Sequence, residues 1–176
     1  MTSEQRQFAS MLACLTLASI ITLPLLAMVI WLFWDQLAPL VAGKLHYRFN
    51  LGERSLLERL IGFFISLAGA LVQAYGLKGL HLTFSEAALG CPLSETSIKG
   101  FRRFAWITVI MVFIGIAQRS AWIILFSLSD PLHPGTLGLK FGSEELKSLF
   151  MGSLLVFVAH VFIEGKRAKD ENDTFV

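Results

Sequence analysis

Charged residues are scarce in this chain of 176 residues: they make up 16% of it, whereas hydrophobic residues make up 55%. A soluble domain carries roughly 25% charged residues, so the composition argues against a water-soluble protein. The chain has two cysteines, Cys14 and Cys91, and these are too few for a disulfide framework. The net charge of +2 is too small to indicate binding to nucleic acid.

The apolar residues are gathered in four long blocks. A membrane-spanning helix needs about 20 largely apolar residues to cross roughly 30 Å of hydrocarbon. The sequence therefore predicts one all-α transmembrane domain over 1–176, with the lipid bilayer as its surroundings. The four spans and a charged tail are expected at about 8–34, 56–80, 104–128, 146–163 and 164–176. The first block exceeds the apolar core of about 7–15 residues that a cleaved signal peptide has.

Residues 78–103 form the one long polar interval between two apolar blocks. Basic residues concentrate on the cytoplasmic side of a membrane protein. Eight basic residues near span ends lie on the side of this interval, against six on the other side. The sequence therefore predicts that both termini are cytoplasmic. Within the interval, Lys99, Arg102 and Arg103 are candidate cytoplasmic contacts, either for anionic headgroups, at about 1 kcal/mol each, or for a protein partner.

Several local patterns bear on helix packing and helix ends. Trp31 and Trp34 are predicted at the outer interface, where amphipathic rings settle at headgroup depth. Small and polar residues recur on one face of span 2, which favours a helix–helix contact over a transport path; they are Gly62, Ser66, Gly69, Gln73 and Gly76. The helix of span 2 is expected to continue to Leu89 and to stop before Gly90. Ser94 and Ser143 are predicted to cap the helices that follow them.

Two polar connections each contain an alternating polar and apolar run, over 44–49 and 136–141. Alternation with a period of two is typical of a half-buried strand. Both runs fall on the outer side in the predicted topology. We therefore hypothesise a small two-stranded outer sheet that joins the first and third connections.

Arg119 is the one charged residue deep inside a predicted span. An arginine at the centre of a spanning helix costs about 2.5–3.5 kcal/mol on insertion scales and is a functional candidate by default. Its depth is level with the start of span 4, so we expect its long side chain to reach Glu144, Glu145 or headgroups. A role with an ion or substrate, or in partner contact, stays open. Gln118 and Gln73 are the other polar candidates in this region.

His160 and Glu164 lie one turn apart on span 4, and His81 and Cys91 lie at a similar depth. A zinc site needs three or four convergent ligands at close spacing, and only the His160 and Glu164 pair has that spacing. We expect hydrogen bonding at the inner interface instead, and no cofactor. The sequence has no readable nucleophile–base pair, phosphate loop or carboxylate dyad, so we expect no enzymatic activity.

Two stretches resemble patterns of a bacterial family. The run YGLKGL at 75–80, with Phe84, Gly90 and FRRF at 101–104, resembles "yGLxxLxxLF…G…F…lrrfG". The ending, with FIEGKRA at 162–168, DEN at 170–172 and FV at 175–176, resembles "f-x-E-G-x-x-L-x-x-E-x-x-x-x-V". Both patterns are similar to the bacterial membrane proteins known as domain of unknown function twenty-nine seventy-five. Two residues depart from the pattern, namely Leu93 in place of an aromatic residue and Ala168 in place of leucine.

The resemblance implies four spans in a bacterial inner membrane and supplies no catalytic residues. Some members are encoded beside small helix-turn-helix regulators, which implies a regulatory partner. Our first hypothesis is a non-enzymatic interaction or regulatory protein that binds another protein at the central connection or the tail. The alternative is a small-molecule or ion transporter, or a subunit of one. A transporter needs convergent polar groups along a hydrated path, whereas an interaction protein needs an exposed patch at its inner end.

Overall fold

A computed structural model describes residues 2–41, 55–128 and 142–173, and nearly all of these residues are helical. The helices are α1 (Ser3–Leu32), α2 (Trp34–Val41), α3 (Leu56–Ala88), α4 (Glu95–Leu128) and α5 (Ser143–Asp173). Four of them, α1, α3, α4 and α5, are long and apolar enough to cross a membrane. The chain is therefore compatible with the predicted four-span all-α architecture. The two runs of the hypothesised outer sheet lie outside the described residues.

The long helices exceed the thickness of the hydrocarbon. Helix α3 has 33 residues and α4 has 34, which corresponds to about 50 Å each at 1.5 Å per residue. Hydrocarbon occupies about 30 Å, so roughly 20 Å of each helix extends beyond it. Helix α3 runs past the predicted end of its span near residue 80, almost to the predicted Leu89. Helix α5 likewise continues through most of the charged tail, to Asp173.

The helix ends follow from local sequence. Thr2 caps α1 in a reciprocal pair with Gln5, and the Ser94 hydroxyl accepts a hydrogen bond from the Ser97 N–H at 3.0 Å. The prediction of a cap at Ser94 is therefore confirmed. Gly90 has a φ of +89°, a conformation that glycine adopts without steric cost, and it turns the chain between α3 and α4.

The predicted cap at Ser143 is wrong by one residue. Helix α5 already includes Ser143, so Gly142 precedes the helix. The Glu145 carboxylate accepts a hydrogen bond from the Gly142 N–H at 2.8 Å. A carboxylate at the third helical position satisfies the exposed donor in the way that a capping box does, so a side chain within the helix closes this end.

The four long helices pack in the order α1, α3, α4, α5, and α5 contacts α4 less extensively than the others contact their neighbours. Glycines of α3 lie against both α1 and α4, which confirms the predicted helix–helix contact for the glycines of the stripe. Gly62 lies against the Trp31 ring, whereas Gly76 lies against Ile107 of α4. Gly79 and Gly100 place the backbones of α3 and α4 in direct contact.

Both tryptophans of α1 and α2 lie inside the protein, so their rings face other helices. Their depth at the outer interface stays a prediction. Trp31 is 6% exposed and Trp34 is 3% exposed, and their rings stack with centroids 4.5 Å apart. Trp34 also packs against Phe126 of α4, 5.8 Å between centroids. The Trp31 N–H donates to the Ser66 hydroxyl at 2.8 Å. Each ring thus gains contacts with other helices that lipid headgroups would not provide.

Candidate functional site

Arg119 of α4 forms an ion pair with Glu145 in the first turn of α5, with Nη1 and Oε1 2.5 Å apart. The prediction that Arg119 reaches this turn is confirmed for Glu145. The Arg119 side chain is 47% exposed and the Glu145 side chain is 8% exposed. The pair therefore joins a buried carboxylate to a guanidinium that is open on one side.

That open side faces a crevice between α4 and α5 with a volume of about 240 Å³. We call it the α4–α5 crevice. It is lined by Met111, Val112, Gly115, Ile116, Arg119, Glu144, Glu145 and Ser148. A Cβ added at Gly115 would meet no atom within 4 Å, so this glycine leaves empty space beside the crevice. Charged and hydroxyl groups thus meet an apolar wall at the level where α5 begins.

Gln118, the neighbour of Arg119, is part of the packing between α3 and α4. Its Nε2 donates to the Ile65 carbonyl oxygen at 2.6 Å. The amide occupies the space beside Gly69, where a Cβ would collide with it. Gln118 therefore has a structural partner in the membrane-embedded part of the protein.

Gln73 departs from its predicted place on the packing stripe. The glycines one turn away on either side of it, Gly69 and Gly76, are buried, but Gln73 itself is exposed. Its side chain has no hydrogen-bond partner among the described residues. Gly69 and Gly76 face α4, and a longer side chain between them is excluded from that tight contact and lies at its edge.

The residues considered for a metal site are spread over separate contacts. His81 Nδ1 lies 2.9 Å from the Ala13 carbonyl oxygen, which joins α3 to α1. His160 Nδ1 lies 2.9 Å from the Val156 carbonyl oxygen one turn earlier on α5. Both His160 and Glu164 are exposed on α5. Within the described ranges, no three His, Cys, Asp or Glu residues are grouped so that they could hold a metal ion.

The three basic candidates of the central interval have different surroundings. Lys99 Nζ lies 2.5 Å from a Glu95 carboxylate oxygen on the same helix. The Arg103 guanidinium lies over the Tyr75 ring, 4.8 Å from its centroid. Arg102 is exposed and has no ion pair within the part of the chain that the structure describes. Of the three, Arg102 is the one without an ion pair or a ring contact in this part of the structure.

Apolar residues are exposed in the short connection between α3 and α4. We call residues 89–93 the inner tip, after the side of the membrane predicted for them. Leu89 is 74% exposed and Leu93 is 36% exposed, and Cys91 and Pro92 between them are exposed as well. The Arg6 guanidinium of α1 lies against Gly90, so the start of the chain supports the inner tip.

Sequence reasoning missed the bonds between helices that are distant in the chain. The hydrogen bond from Trp31 to Ser66 and the contact of Thr83 with Ser97, 2.9 Å from Oγ1 to the carbonyl oxygen, are examples. The stripe of small residues that contains Ser66 indicates a helix–helix contact, but it does not indicate which residue Ser66 bonds to.

Comparisons of the chain with protein-family models, curated proteins and solved structures return no match.

Proposed function

We propose that this chain is a multi-pass inner-membrane protein, with cytoplasmic termini, that acts without catalysis by binding another protein at its inner tip. The observation that carries the proposal is the exposure of Leu89, at 74%, at the far end of α3. Helix α3 extends past the predicted span end near residue 80 by about 12 Å, at 1.5 Å per residue. Leucine exposed to lipid is expected, whereas apolar groups exposed together beyond the hydrocarbon indicate a contact site.

An exposed arginine on the same predicted side of the membrane as the inner tip supports a protein partner. Three of the basic residues on this side form ion pairs within the chain: Lys99 with Glu95, Lys166 with Asp170 and Arg167 with Glu171. Arg102 is exposed and has no ion pair in the described ranges. Protein interfaces favour exposed apolar residues in combination with arginine.

The hydrogen bonds within the spans give less support to a transport function. Several polar side chains in the spans hold helices together or bond to carbonyls of their own helix. Gln118 donates to Ile65, and Thr16, Thr108 and Ser120 each donate to a carbonyl one turn earlier. Groups with these partners would have to exchange them before they could bind a solute along a path.

A photo-crosslinking side chain at Leu89, in the full chain in native membranes, tests the proposal. We expect a discrete protein adduct. The same side chain at Leu56 is the matched control, because Leu56 is 75% exposed and lies at the opposite end of the same helix. Arg102→Glu should weaken the Leu89 adduct, and Lys99→Ala should weaken it less, because Lys99 already pairs with Glu95.

Equal adducts at Leu89 and Leu56 would contradict a specific partner at the inner tip. Solute flux in liposomes that contain only this chain, together with no adduct, would favour the transporter instead. We also propose membership in the bacterial family twenty-nine seventy-five, on the motifs at 75–80, 101–104 and 162–168. Some members of that family are encoded beside small helix-turn-helix regulators, which agrees with a cytoplasmic regulatory partner.

A further inference from the structure

The α4–α5 crevice contains charges that the packing of the helices does not use fully. Both carboxylate oxygens of Glu145 have partners, since Oε1 accepts from Arg119 Nη1 and Oε2 accepts from the Gly142 N–H. A guanidinium has five N–H donors. With its side chain 47% exposed, Arg119 keeps donors that face the crevice.

Glu144 supplies the second unused charge. It is the neighbour of Glu145, it lines the same crevice, and its side chain is exposed. It has no ion pair with any residue in the described ranges. The crevice thus presents guanidinium donors and a separate, accessible carboxylate, above a wall formed by Met111, Val112 and Ile116.

The charges of the crevice indicate which class of ligand fits it. Arg119 with Glu144 and Glu145 carries a formal charge of about −1, so a simple anion would be repelled by the carboxylates. A simple cation would leave the remaining Arg119 donors unpaired. A ligand that joins a phosphate to a primary ammonium satisfies both, because the phosphate accepts from Arg119 and the ammonium donates to Glu144.

The position of the crevice indicates that such a ligand comes from the membrane. It lies beside the first turn of α5, where the fourth span is predicted to start, and α5 is the last helix in the packing order. The apolar wall and the empty space at Gly115 extend from the charges toward the middle of the membrane. We propose that the α4–α5 crevice binds a phospholipid whose headgroup joins phosphate to a primary ammonium. This proposal is independent of the partner at the inner tip.

Native mass spectrometry of the purified full chain in detergent tests the proposal, with phosphatidylethanolamine, phosphatidylglycerol and phosphatidylcholine of identical acyl chains. We expect phosphatidylethanolamine to bind roughly five-fold more tightly than the other two, the effect of one partly solvated ion pair. Phosphatidylglycerol lacks the ammonium, and the quaternary amine of phosphatidylcholine has no N–H to donate.

Glu144→Gln should bring the three affinities to within about two-fold of each other, and it should leave the fold intact because Glu144 is exposed. Glu164→Gln is the matched control, since it removes an exposed carboxylate from the other end of α5 and should preserve the preference. Equal binding of the three lipids by the unmodified chain, or a preference that survives Glu144→Gln, would overturn the proposal.

A soluble headgroup tests whether the crevice binds the whole lipid or only its polar part. Glycerophosphoethanolamine, at millimolar concentration, should raise the unfolding temperature of the detergent-solubilised chain much less than phosphatidylethanolamine does. Equal stabilisation by the two would show that the acyl chains add nothing, and it would contradict the assignment to a lipid.

Discussion

The Gln118 side chain donates a hydrogen bond to the Ile65 carbonyl oxygen at 2.6 Å, and so joins α4 to the backbone of α3. The bond is possible because Gly69 has no side chain where the Gln118 amide lies. A glycine on the neighbouring helix thus makes room for a polar side chain inside a span. Hydrogen bonds of this kind contribute on average about 0.6 kcal/mol, and at most about 1.7 kcal/mol, between membrane helices.

Replacing Gly69 by alanine should therefore act through Gln118. We expect Gly69→Ala to destabilise the chain by about 1 kcal/mol, because the new methyl group displaces the amide. In a Gln118→Ala background the same change should cost much less. Unfolding in mixed detergent micelles measures the free energies. Gly165→Ala is the control, because a Cβ there meets no atom within 4 Å. Additive effects of Gly69→Ala and Gln118→Ala on the free energy of unfolding would contradict the coupling.

The contact between Gly79 and Gly100 should be less tolerant than the one at Gly69. A Cβ on Gly79 would lie 2.5 Å from the Gly100 carbonyl oxygen, and a backbone atom cannot rotate away as an amide side chain can. We expect Gly79→Ala to destabilise the chain by about 1–3 kcal/mol, which is more than Gly69→Ala does. The same unfolding assay ranks the variants. Stability equal to that of the unmodified chain would show that α3 and α4 can separate here without loss.

The Arg119–Glu145 pair should behave as a coupled unit. Arg119→Leu leaves a carboxylate that is 8% exposed without its counter-ion, and Glu145→Leu leaves an arginine within the span. Each single variant should lower the unfolding temperature, whereas the double variant should unfold at a temperature above that of either single variant. A double variant that loses the sum of the two single effects would argue against direct pairing.

The native cysteines provide a test of sidedness. Cys91 is exposed at the inner tip, whereas Cys14 is exposed on α1 inside a candidate span. A membrane-impermeant maleimide should label Cys91 only after the cells are permeabilised, and it should not label Cys14, because a thiol in lipid stays protonated. Ser55→Cys in a Cys91→Ser background should be labelled from outside. Labelling of Cys91 in intact cells would place the inner tip on the outer side.

Much of the local structure was predictable because its causes are local. The stop of α3 before Gly90 and the start of α4 after Ser94 follow from the preferences of residues at helix ends. The link from Arg119 to the first turn of α5 was also predictable, since one charge in a span needs a counter-ion at its own depth. Burial of Trp31 and exposure of Gln73 were not predictable, because both depend on how the helices are rotated against each other.

The number and approximate extent of the long helices are determined by the sequence alone, because the thickness of hydrocarbon sets how many apolar residues a crossing needs. Which polar groups meet was decided only by the tertiary structure. Glycines 62, 69, 76 and 79 allow α1 and α4 to approach α3 closely, and this close packing sets the rotation of each helix. That rotation brings Trp31 to Ser66 and Gln118 to Ile65, and it leaves Gln73 outside the contact. Side chains so far apart in the chain meet only after the helices have packed.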